Sequence, residues 1–104
     1  FHALCAERLD WVTAIERALG GLPGVRAKLC EEEQYYPLLE ITIDPTAAGI
    51  SAMEVSRRLK ESDPAIFVEE SSIEQGAMYL DSLNLQDAQT ATIVGDRMRA
   101  ALMP

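Results

Sequence analysis

From Phe1 to Gly20 apolar residues recur at helical spacing: Leu4, Trp11, Ile15, Ala18 and Leu22 share one stripe, with Cys5, Val12 and Leu19 beside it. Gly20 and Gly21 offer the left-handed position on which helices end, and Pro23 forbids continuation. Over Gly24–Glu32 the period changes to two, with Val25, Ala27 and Leu29 opposite Arg26, Lys28 and Cys30. The run Glu31-Glu32-Glu33-Gln34 reads as an exposed connection, after which Tyr36–Asp44 alternates again, with Leu39, Ile41 and Ile43 on one face. The two segments predict an antiparallel hairpin. Pro45 ends it. Ser51 followed by Glu54 is a capping box that starts a helix over Ala52–Glu61, with Ala52, Val55 and Leu59 on its apolar face and Arg57, Arg58 and Lys60 near its C-terminal end. Ala65–Glu69 and Ala77–Leu83 predict two more strands around a polar turn, and Ala88–Leu102 a last helix with Ala91, Val94, Met98, Ala101 and Leu102 on one side. The order α-β-β-α-β-β-α predicts an α+β fold in two layers, an antiparallel four-stranded sheet with helices on one face.

Composition narrows the partners. The 104 residues suit one domain, with 48% hydrophobic and 25% charged residues. A net charge of -8 repels nucleic acid and anionic membrane surfaces on average. No apolar run approaches the roughly 20 residues a membrane span requires, no signal peptide is evident, and the cytoplasm is the expected compartment. Cys5 and Cys30 read as reduced packing residues. The sequence opens on Phe1 and enters a helix without a capping residue, as a piece cut from a longer chain or a processed precursor would.

Candidate chemistry is sparse. His2, the sole histidine, has no Cys or Asp at ligand spacing, so no zinc site is expected. Glu31-Glu32-Glu33 lacks the alternating ligands and central glycine of a calcium loop and reads as a solvated acidic connection. Glu69 and Glu70 are strand neighbours that point to opposite faces, which suits edge charges better than a catalytic pair. The serines have no elbow glycines and no histidine partner, and Gly20-Gly21 follows a helix where a phosphate loop should follow a strand. No catalytic, cofactor-binding or metal residue is assigned. The apolar stripe of the first helix is wider than one side of a small sheet would cover, which marks Phe1, Leu4 and Trp11 as interface residues.

A succession of segments carries a family resemblance: Ala18-Leu19-Gly20-Gly21-Leu22-Pro23-Gly24-Val25, Gly49-Ile50-Ser51-Ala52-Met53-Glu54, Asp63-Pro64-Ala65-Ile66-Phe67-Val68, Gly76-Ala77-Met78-Tyr79-Leu80-Asp81 and Leu83-Asn84-Leu85-Gln86. In this order and spacing they resemble the C-terminal small domain of selenocysteine-synthase-like proteins, a fold-type I pyridoxal-phosphate family that includes enzymes of the D-glucosaminate-6-phosphate ammonia-lyase type. The resemblance covers nearly the whole chain. It implies a lyase or transferase acting on an amino acid or amino sugar derivative. It further implies a large domain of the same chain that carries pyridoxal phosphate, a homo-oligomer, and residues 1–22 as connector helix to an α+β body over 23–104.

Pyridoxal phosphate needs a Schiff-base lysine, an acidic partner for its ring nitrogen and donors for its phosphate. Lys28 in a strand and Lys60 near a helix end do not provide that setting, so the piece itself is expected to bind no cofactor and to be non-catalytic. Where relatives tend to place a substrate-gripping arginine, near the end of the third predicted strand, this chain has Glu69 and Glu70. A rival reading is a free-standing regulatory or binding module of ACT-like or ferredoxin-like character. Such a module covers its own apolar surface, whereas an excised domain leaves Phe1, Leu4 and Trp11 uncovered.

Overall fold

The computed structural model describes residues 3–30, 38–63, 65–81, 85 and 87–103, with the backbone alone for 3–8 and 30. Helix α1 spans Ala3–Ala18, strand β1 Val25–Cys30, strand β2 Leu38–Ile43, the single turn α2 Pro45–Ala48, helix α3 Ala52–Lys60, strand β3 Ala77–Asp81 and helix α4 Ala88–Ala101. A 3₁₀ turn at Ile73–Gln75 leads into β3. Phe1, His2 and the acidic run Glu31-Glu32-Glu33 lie outside the described residues, as do the side chains of Leu4, Cys5 and Cys30.

The hairpin forms in the register that alternation predicts: Val25 faces Ile43, Ala27 faces Ile41 and Leu29 faces Leu39. On the other side of β2, Ile41 faces Met78 and Leu39 faces Leu80. One face of the sheet therefore collects the apolar side chains, of which Leu39, Ile41 and Met78 have no exposed surface. Helices α1, α3 and α4 supply the rest of the core through Val12, Ile15, Leu19, Val55, Leu59 and Met98. Each such side chain contributes about 1.5–3 kcal/mol by leaving water.

Among the described residues the sheet has three antiparallel strands in the order β1-β2-β3, not the four expected. The segment Ala65–Glu69 has the alternating burial of a strand, with Ile66 and Val68 inside and Phe67 64% exposed. Its backbone is used differently. The Ile66 N–H goes to Leu59 O at the end of α3 (2.8 Å), and only Glu69 reaches β3, exchanging both backbone bonds with Tyr79 at 2.8 and 3.2 Å. The predicted strand is thus a single bridge, because its start is tied to the helix it follows.

Helix ends follow the expected chemistry, with one substitution of partners. Ser51 Oγ accepts the Glu54 N–H at 3.2 Å, the forward half of the capping box. The Glu54 carboxylate binds Arg57 Nε at 2.8 Å and also engages Arg58. At α4, Asp87 Oδ1 accepts the Thr90 N–H at 2.7 Å. Arginines close two C-terminal ends: Arg99 donates to Ala18 O (2.7 Å) at the last residue of α1, and Arg58 to Met103 O (2.7 Å) beyond α4.

Two glycines with positive φ separate conformation from space. A Cβ added at Gly21 (φ +82) would meet nothing within 4 Å, whereas at Gly24 (φ +71) that atom would lie 2.7 Å from Ala48 N and 2.8 Å from Asp44 O. Gly21→Ala should therefore cost only the left-handed penalty of about 1–2 kcal/mol. Gly24→Ala adds a clash with immovable backbone and should cost more than about 3 kcal/mol in all. Urea denaturation of the two variants checks both the order and the gap.

Candidate functional site

All described helices that contact the sheet do so on its apolar face, which leaves the opposite face as the open surface. Alternation places Arg26 and Lys28 of β1, Glu40 and Thr42 of β2, and Tyr79 and Asp81 of β3 there. Lys28 stands opposite Glu40, and Glu40 opposite Tyr79, so one row crosses the sheet from cation to carboxylate to phenol. Tyr79 Oη donates to Glu40 Oε2 at 3.1 Å. Glu69 extends the row through its bridge to Tyr79. Leu38 and Ala77 share this face, so it mixes apolar with charged and hydroxyl side chains.

Glu69 and Glu70 have separate structural duties. Glu69 accepts from the Ser71 N–H at 2.7 Å and from Ser71 Oγ at 2.8 Å, holding the turn before β3. Glu70 binds Lys60 Nζ at 2.7 Å, which joins that turn to the end of α3. Lys60 is engaged in this ion pair at the surface, and Lys28 lies on the edge strand β1. Among the described residues no three His, Cys, Asp or Glu side chains converge on a point that could hold a metal ion. Nor is any described helix long and apolar enough to cross a membrane.

Of the residues expected at an interface, Trp11 is described. It is half-buried at the border of the core, while Val12 and Ile15 of α1 and Leu19 just after it turn fully inward. Two residues with structural weight carry no functional signal in the pattern. Gly95, in the middle of α4, lets that helix approach Ala18 and Ile15 closely, and Arg99 reaches α1. A glycine inside a helical period is the one available hint.

The shifted ionisations belong to helix surfaces and caps. The Arg57 guanidinium holds the Glu54 carboxyl down at about 2, and Glu54 in turn raises Arg57. Lys60 is the main cause that lowers Glu70, with the Ser56 hydroxyl adding to it without meeting hydrogen-bond geometry. The Thr90 backbone N–H lowers Asp87 at its cap. None of these groups lies in an enclosed cleft where a tuned carboxylate would signal catalysis.

Comparison with known proteins places this geometry. No family model matches the chain. In sequence it is similar to a 5'-C-glycyluridine monooxygenase-decarboxylase from Streptomyces sp., 26% identical over 78 residues that make up 73% of this chain and 20% of that protein. In structure it is similar to D-glucosaminate-6-phosphate ammonia-lyase, with a TM-score of 0.74 and 17% identity over 88% of this chain and 25% of that one. The chain has the fold of one part of that lyase. The chain spans about a fifth of the length of the first of these proteins and a quarter of the second.

The lowered carboxylates give a signed pH dependence. A carboxylate whose folded pKa lies below its unfolded value stabilises the fold above the unfolded value, and that contribution is lost as pH falls. For Glu54 the window runs from about 4.5 down to about 2. The urea midpoint should fall through this window, by a small amount because the pair is exposed and screened. Glu54→Gln should flatten part of the decline. Ser56 Oγ is buried without a geometrically complete hydrogen bond, so Ser56→Ala should leave stability at neutral pH unchanged or raise it by about 1 kcal/mol, read as the urea midpoint.

Proposed function

We propose that this chain is the C-terminal small domain of a pyridoxal-phosphate-dependent lyase or transferase acting on an amino acid or amino sugar derivative. The observation that carries the reading is the likeness to D-glucosaminate-6-phosphate ammonia-lyase over 88% of this chain but only 25% of that one. A match that takes in most of this chain and a quarter of an enzyme supports a small domain of that enzyme class. The sequence likeness to the monooxygenase-decarboxylase supports the substrate class. Glucosaminate and glycyluridine both name an α-amino acid built on a sugar framework.

The role follows from what the chain has and lacks. The Schiff-base lysine, the acid that pairs with the ring nitrogen and the phosphate donors belong on the large preceding domain, because Lys60 is in an ion pair and Lys28 lies on an edge strand. This domain packs against that one, closes a wall of the active site, and extends the contact between subunits of a homo-oligomer in the cytoplasm. Phe1, Leu4 and Trp11 face the large domain or a second subunit. With Glu69 holding Ser71 and Glu70 holding Lys60, the grip on a substrate carboxylate comes from elsewhere in the parent.

Cofactor content is the test. The purified full polypeptide, reconstituted with pyridoxal phosphate and freed of excess, should release about one equivalent per chain on treatment with alkali. Residues 1–104 expressed separately should retain none. A full polypeptide that retains none overturns the reading.

A further inference from the structure

Between α1 and the sheet lie Gly20 and Gly21, and a pair of glycines at the end of an element is where a hinge between domains would be sought. The structure clamps that turn from both sides. On the helix side, Val12, Ile15 and Leu19 are at most 2% exposed, so α1 is part of the core. A Cβ at Gly95 of α4 would sit 3.4 Å from Ala18 Cβ and 3.7 Å from Ile15 Cγ1, ordinary contact distances that show α4 lying directly against the end of α1. Arg99 Nη1 donates to Ala18 O at 2.7 Å and to Gly20 O at 3.4 Å, which fixes the carbonyls at the end of α1 and inside the turn. On the sheet side, Gly24 O accepts the Asp44 N–H at 2.8 Å, and the backbone of Asp44 and Ala48 fills the space around Gly24.

We infer that α1 belongs to the rigid body of this domain and that the pivot toward a preceding domain lies N-terminal to Val12, not at Gly20-Gly21. This moves the working boundary out of the glycine turn and into or before the first half of α1. Arg99 is the positioning residue that holds the turn shut. The inference relies on the proposed function only for the existence of a preceding domain.

The test is a staple. In the full polypeptide, with Cys5→Ser and Cys30→Ser as background, Ala18→Cys and Gly95→Cys place two thiols close to the Cβ separation of a disulfide, roughly 3.5–4.5 Å. Amide exchange over residues 12–22 is then compared with exchange over β2. Expected are equally slow exchange in the two regions of the unmodified protein and a change below about twofold on closing the staple. Exchange over 12–22 more than about tenfold faster than over β2, or slowed about tenfold by the staple, overturns the inference.

Arg99→Ala should speed exchange over residues 17–22 about tenfold and leave β2 unchanged, with partial rescue by Arg99→Lys. Equal acceleration in both regions overturns the positioning role. The unmodified protein supplies the first comparison even where the cysteine pair does not oxidise. These rates are read with or without pyridoxal phosphate, so a polypeptide that lacks the cofactor refutes the proposed function and leaves this inference standing.

Discussion

A three-stranded sheet with one apolar face must be roofed, and the roof here is made by α1 and α4 meeting where Gly95 admits Ala18 and Ile15. Every strand alternates toward that roof, which brings Leu39, Ile41, Met78 and Leu80 against Val12, Ile15, Leu19 and Met98. Helix and sheet are interdependent. An α1 without the sheet would leave its buried residues in water, and the sheet without α1 would expose the middle of β2. The first helix is thus structural before it is anything else, whatever it also contacts on its other side.

Polar interactions serve that arrangement by closing helix ends. Ser51 and Asp87 satisfy N–H groups at the starts of α3 and α4, while Arg99 and Arg58 satisfy carbonyls at the end of α1 and just past α4. Each arginine reaches from one element to the end of another, so charge is used to lock elements together as well as to complement the helix dipole. Lys60 and Glu70 do the same for the end of α3 and the turn before β3. The shifted ionisations are consequences of these structural pairs, which explains why they are scattered over the surface and do not converge on a site.

Periodicity reads the apolar faces well because burial on one side is what it reports. The faces of α3 (Ala52, Val55, Leu59) and α4 (Ala91, Val94, Met98, Ala101) and the inward set of β2 emerge from it residue by residue. The same signal misleads at Ala65–Glu69, where Ile66 and Val68 alternate with exposed Phe67 as strand residues do. Alternation says nothing about which backbone partner is in reach, and there the partner is Leu59 at the end of a helix. The turn α2 escapes because four residues are too few for a period, although Asp44 before Pro45 is a capping pattern. The α1–α4 clamp escapes because Gly95 and Arg99 lie about 80 residues from the carbonyls and side chains they meet, beyond any local rule. Of the interface set, only Trp11 can be judged from the described residues, and it sits at the rim of the core.

Two statements meet at α1: the helix packs into this domain's own core, and, under the proposed function, the side that bears Trp11 is a surface shared with a preceding domain. The first rests on packing; the second reaches beyond these residues. Hydroxyl-radical footprinting of Trp11, carried out on residues 1–104 and on the full polypeptide under one dose, compares the two directly. Ready oxidation of this indole is expected in the short chain and several-fold protection in the long one. Equal oxidation in both would contradict the shared surface, leaving an autonomous module whose half-buried tryptophan is covered by nothing else.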